Sequence, residues 1–139
     1  ESGISHLLEH CTVARTKDMD FYSLQDFLFE NSIDRNASTG RLFLNFIASG
    51  HKSDSEKMLD LLMEFAFSPA FDEEILERER QIVLREIDQR SGEPMYRLRK
   101  IVLEKIMEKG SLYLYDPLGK KEDVEKAVVE LLKKYMLEF

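Results

Sequence analysis

The chain has one cysteine, Cys11, so no internal disulfide framework can hold it together. It has no apolar run longer than a few residues, so no segment reads as a transmembrane helix. Basic residues are in deficit. Lys and Arg number 20 against 27 Asp and Glu, a formal charge of −7. Binding a phosphate backbone needs a basic surface, so nucleic acid is not expected as a partner. No internal repeat or low-complexity linker is visible. No signal peptide or transit segment is visible either, which says little about the compartment; it is left open, with the cytoplasm favoured. Histidine is also scarce. There are three, and two of them, His6 and His10, fall within five residues.

What remains is 43% hydrophobic and 34% charged over 139 residues, the profile of about one globular domain. Its pattern is mainly helical. Helices are expected over residues 4–14, 22–31, 54–66, about 72–89, 94 to Gly110, and about 122–139. Ser53 with Glu56 reads as a capping box for the third of these. Its apolar residues Met58, Leu59, Leu62, Phe65 and Ala66 follow helical spacing. In the fifth, Met95, Leu98, Val102 and Ile106 form the expected core stripe. In the last, Val124, Val128, Leu131 and Tyr135 should point inward. Residues 41–49 read as a strand, after a turn-like Asp34-Arg35-Asn36, and residues 112–115 as a short second strand. So few strands do not make a stable sheet. The chain is therefore expected to be part of a larger unit, with its missing strands before Glu1, after Phe139 or in another chain.

Residues 6–10 read His6-Leu7-Leu8-Glu9-His10. Four residues apart on a helix, the two imidazoles share a face and can grip one Zn²⁺. Glu9 sits beside that face, close enough to take a proton from water at the metal. This H-x-x-E-H arrangement is the inverzincin motif. The ordinary alternative is a pair of surface or satisfied core histidines, and the motif by itself lacks a third protein ligand. Residues 75–87, ILERERQIVLREI, offer candidates. Glu79 and Glu86 are seven apart, so they project in nearly the same direction, bordering the apolar stripe of Ile75, Leu76, Ile82, Val83 and Ile87. A carboxylate facing a core is costly unless it is paired or metal-bound. The alternative here is an acid salt-bridged to Arg80 or Arg90. Arg78, Arg85, Glu77 and Asp88 are more easily placed outward. Cys11 reads as a small buried residue and His51 as a loop histidine.

Several spaced segments together resemble the N-terminal catalytic domain of the pitrilysin-type zinc metallopeptidases. They are Glu1-Ser2-Gly3-Ile4-Ser5 leading into the histidine motif, Asn36-Ala37-Ser38-Thr39, Ser68-Pro69-Ala70-Phe71, and the run from Glu79 to Ile87. The 76 residues between His10 and Glu86 suit the family's third ligand. The segment after His10, and Asp116-Pro117-Leu118-Gly119, depart from the family pattern. The resemblance implies an α+β fold, with helices packed on one face of a mostly antiparallel sheet, and residues 1–139 forming part of one catalytic domain. It implies one zinc per chain held by His6, His10 and Glu86, with Glu9 as general base and Glu79 supporting the site. Asn36 and Ala37 would lie at a sheet edge where an extended peptide substrate could pair. A second family domain or subunit would close the cleft. The implied activity is endopeptidase cleavage of extended or unfolded peptides. The alternatives are a non-catalytic subunit that keeps the metal site, or a fragment inactive alone.

Overall fold

A computed structural model describes residues 2–137. In chain order the elements are α1 (Ile4–Ala14), α2 (Phe21–Glu30), β1 (Asp34–Thr39), β2 (Leu44–Ser49), α3 (Ser55–Phe67), α4 (Glu73–Gly92), α5 (Pro94–Ile106), α6 (Lys121–Glu125) and α7 (Val129–Leu137). Single 3-10 turns lie at Lys52–Asp54 and Leu112–Leu114. The fold is α+β, mostly helical, with one antiparallel strand pair among the described residues. Among the described residues, no helix is long and apolar enough to cross a membrane.

Local chemistry sets the helix starts. The Asp20 carboxylate accepts from the Ser23 N–H at 2.8 Å, and Asp72 accepts from the Ile75 N–H at 3.1 Å. Each satisfies one of the orphan donors of a first turn. Pro94 occupies the first turn of α5, where its missing N–H costs nothing. The capping box expected at Ser53 does not form. Ser53 donates instead to Asp54 Oδ2 at 2.8 Å, and α3 begins at Ser55.

Two apolar clusters carry the packing. In the larger, Ile4, Leu7, Leu8 and Cys11 of α1 meet Leu76, Val83 and Ile87 of α4, closed over by Val124 and Leu132. In the smaller, Leu24 and Leu28 of α2 meet Ile33 and then Leu61 and Phe65 of α3. The α1–α4 pairing matters most for function, because it brings the histidine helix against the glutamate helix.

Several expectations are corrected. Asp34-Arg35-Asn36 is not a turn but the first half of β1, paired from Asp34↔Ser49 to Thr39↔Leu44. Residues 112–115 are not a strand: Leu112–Leu114 form a 3-10 turn, with the Ser111 hydroxyl accepting from the Tyr113 N–H at 3.3 Å. The last helix is two helices. The break at residues 126–128 rephases the chain, so Ala127, Val129 and Leu132 are buried while Val128 is 48% exposed. Leu59 faces solvent, and α3 buries Leu61 and Phe65. The helix from Pro94 ends at Ile106, before Gly110. Its stripe of Met95, Leu98, Val102 and Ile106 is exposed, because no described element lies over it.

Candidate metal centre

α1 and α4 face each other across the larger core, and their polar residues meet at one end of it. The His6 and His10 rings stand edge to face, 4.8 Å between centroids. Glu86 reaches both: His6 Nε2 lies 3.7 Å from Oε2 and His10 Nε2 lies 3.8 Å from Oε1. One donor atom from each of the three residues falls within 4.8 Å of the others. Two ligands at tetrahedral Zn–N or Zn–O bond lengths sit about 3.4 Å apart; each histidine–Glu86 separation is within a few tenths of an ångström of that, and side-chain rotation drawing the donors in from the 4.8 Å limit would let the set hold a zinc ion. The histidine side chains are 14% and 19% exposed and Glu86 42%, so the opening is on the glutamate side.

The two histidines are held differently. His10 Nδ1 lies 3.2 Å from Glu79 Oε2. That contact fixes the ring and leaves Nε2 facing Glu86. Burial opposes protonation of His10. The Glu79 hydrogen bond and the charges of Glu86, Glu79 and Glu9 outweigh it and raise its pKa. His6 has no such carboxylate. Its Nδ1 is buried with no hydrogen-bond partner among the described residues. Burial, then the neighbouring His10 and Arg90 charges, push its pKa down to about 4. His6 is thus neutral at pH 7, the form a metal needs.

Glu79 is buried, yet its carboxyl is held below the usual range. Burial alone would raise it, and hydrogen bonds from His10 and Arg78 reverse that. Arg78 Nε and Nη2 donate to Glu79 Oε1 at 3.0 and 2.8 Å. The Arg78 guanidinium also lies over the Phe21 ring, 4.4 Å from its centroid. The arginine partner is therefore Arg78, which spacing alone had turned outward. Arg80 donates to the carbonyls of Val124, Glu125 and Ala127 at 2.6–2.9 Å, tying α4 to the end of α6.

Glu9 is 8% exposed, and burial raises its carboxyl pKa against the opposing Thr39 hydrogen bond. The Thr39 hydroxyl donates to Glu9 Oε2. Sequence reading missed this residue's role. The available signal was strand alternation, since Arg35, Ala37 and Thr39 share one face of β1. Arg35 ties the same strand to α1 by donating to the Val13 carbonyl. Asn36 and Ala37 lie beside Glu9 and His10 in a shallow depression, and Ala37 also borders a larger cleft of about 610 Å³ that contains His6, Glu9 and Glu86. Cys11 is fully buried in the core, its thiol pushed up by burial to about 12, and it stands apart from the donor set. His51 sits in the loop before α3, accepting from the Ser53 N–H at 3.4 Å.

The start of α1 is fixed one turn ahead of His6. Gly3 has φ +88° and packs directly on Gly119, at φ +85°, in the turn that follows Asp116. The Ser2 N–H donates to Asp123 Oδ2 at 2.9 Å across the same junction.

Two helix-borne histidines and a glutamate from a second helix thus offer a candidate metal centre, with the buried Glu9 carboxylate on the same helix as the histidines. Residues 1–115 match the model of the insulinase family, peptidase family M16, and the chain belongs to that family. Over 140 residues it is 28% identical to an uncharacterized zinc protease of Rickettsia felis, covering 100% of this chain and 32% of that protein. It is 26% identical over 119 residues to a probable mitochondrial-processing peptidase subunit beta of Arabidopsis thaliana, covering 86% of this chain and 21% of that protein. A crystal structure of a protease from Helicobacter pylori superposes with a TM-score of 0.81 at 26% identity, covering 97% of this chain and 32% of that one. The chain thus spans between 21% and 32% of the length of these relatives.

Proposed function

We propose that this chain is the zinc-bearing part of an endopeptidase that cleaves extended or unfolded peptides. The observation that carries the reading is the meeting of the His6, His10 and Glu86 donor atoms, with the buried Glu9 carboxylate sharing the cleft of His6 and Glu86. Zinc bound by those three residues would polarise the scissile carbonyl and make water easier to deprotonate. Glu9 accepts the proton of the attacking water and returns it to the leaving amine. Burial raises its pKa, which improves it as a base near neutral pH, and the Thr39 hydroxyl orients it. β1 pairs with β2 on one side, and its other edge, at Asn36 and Ala37, can add an extended peptide backbone as a further strand. A second domain or subunit of the family would close the cleft over it.

Metal analysis of the complete protein that contains this chain is expected to give one zinc per chain. Chelation should stop hydrolysis of an unstructured peptide, and added zinc should restore it. Hydrolysis that survives chelation would sink the reading. Zinc retained without any cleavage would instead make the chain a non-catalytic, metal-keeping subunit.

Glu79 supports this reading through its hold on His10. Glu79→Gln exchanges that charge-assisted contact for a neutral one and leaves Arg78 with a poorer acceptor. Zinc affinity is expected to fall about 10–100-fold, measured by competition with a chromophoric chelator. An unchanged affinity would show that His10 needs no such support.

A further inference from the structure

We propose that the cleft selects peptides carrying a carboxylate side chain, Asp or Glu, near the scissile bond. The inference rests on the peptidase reading above and adds its substrate class. The chain as a whole is acidic, at −7, yet Arg41, Arg90, Arg99 and Lys100 all line the cleft that holds His6 and Glu86. Tyr96, Arg99, Lys100 and Leu103 share one side of α5, at spacings of three, four and seven, and that side forms the cleft wall. The helix has turned its cations, rather than its apolar stripe, toward the site.

Among the described residues, Arg90, Arg99 and Lys100 make no ion pair. The cleft's own acids are otherwise engaged or stand off. Asp116 accepts the Tyr96 hydroxyl on Oδ2 and the Leu118 N–H on Oδ1 and makes no ion pair with the cleft cations among the described residues. Glu86 faces the histidines, and Glu9 is held by Thr39. Glu104 lines the same wall and pairs with none of the three. Arg41 is anchored by its Nε, which donates to the Tyr115 carbonyl at 3.0 Å, and its guanidinium lies 5.9 Å from the Tyr113 ring centroid. Its terminal nitrogens remain to meet a carboxylate. Arg41, Arg90, Arg99 and Lys100 are balanced in number by Glu9, Glu86, Glu104 and Asp116, so the two charges of a bound zinc would leave the cleft net positive on an anionic molecule, with the cations gathered on the α5 wall. That contrast draws in acidic ligands and repels basic ones.

The test uses the complete protein as its zinc-loaded Glu9→Gln variant, so that peptides bind without being cut. Three labelled peptides of equal length carry Glu, Gln or Lys on either side of the same central bond. Fluorescence anisotropy at low salt should find the Glu peptide bound about 10-fold more tightly than the Gln peptide, as two exposed pairs of a few-fold each would give, and the Lys peptide weakest. The margin should shrink as salt rises. Adding Arg99→Gln with Lys100→Gln should remove the preference, and Arg99→Glu with Lys100→Glu should reverse it. Both sites are exposed on α5, so these variants keep the fold. Equal binding of the Glu and Gln peptides, or a preference untouched by charge reversal, overturns the inference. In that event, cleavage of the Gln peptide by the unsubstituted protein would leave the peptidase reading standing. A protein that neither binds nor cuts any of the three overturns both.

Discussion

Glu9→Gln in the complete protein is expected to lower peptide hydrolysis by about 10²–10⁴-fold, the usual worth of a positioned base. Zinc content should stay at one per chain. The substitution changes little else. The amide has the size of the carboxylate, and its oxygen can still accept from Thr39. The larger core is untouched, since Leu7, Leu8 and Cys11 on α1 carry that packing. Only the capacity to take a proton is lost. The fall should therefore appear in kcat and kcat/KM together, because the lost interaction belongs to the transition state. Activity assay and metal analysis on one preparation separate the outcomes. Full hydrolysis with full zinc would place the base elsewhere. Loss of zinc would make Glu9 part of the metal site.

The parts of this site that are legible in the sequence lie on helices, where spacing is geometry. Four residues put His6 and His10 on one face, and seven put Glu79 and Glu86 on another. The structure brings the two faces together through the α1–α4 packing, an arrangement no local pattern encodes. What spacing cannot resolve is partner choice. Arg78, adjacent to Glu79, takes the carboxylate because Phe21 of α2 offers its ring beneath the guanidinium, and that contact spans 57 positions of chain.

β1 escapes local reading for a different reason. Asp34, Asn36 and Ser38 are turn formers, and only Thr39 is β-branched. The segment is a strand because Leu44–Ser49 pairs with it and Arg35 ties it to α1. The partner of Glu9 is lost with the strand, since Thr39 comes into view only once the alternation is known. α5 fails in the opposite direction. Its apolar period is real, yet no residue of the helix is fully buried, and the half-buried ones are Tyr96, bound to Asp116, and Leu103, on the cleft side. Periodicity reports which side prefers burial. It does not report whether a surface is there to bury it.

Gly119→Ala is expected to be the most destabilising small substitution at the site's margin. At φ +85° any side chain is strained, which costs roughly 1–3 kcal/mol. Here the added Cβ would also fall on backbone: on the Gly3 Cα, 2.5 Å from the Gly3 nitrogen and 2.6 Å from the Ser2 carbonyl carbon. Neither rotamer change nor side-chain bending relieves a clash with main chain, so the turn must lift off the start of α1. Overpacking of that kind adds roughly 1–3 kcal/mol. The sum is a large part of the 5–15 kcal/mol that typically holds a domain. Gly110 supplies the control. It has φ +88°, and nothing lies within 4 Å of its Cβ position. Gly110→Ala therefore carries the conformational cost alone, and denaturant midpoints of the two variants isolate the contact. Gly119→Ala should fall well below Gly110→Ala and should also weaken zinc binding, since the displaced junction lies one turn from His6. Equal midpoints would mean that the Gly3–Gly119 contact contributes nothing to holding α1, and that the histidine helix takes its position from the core alone.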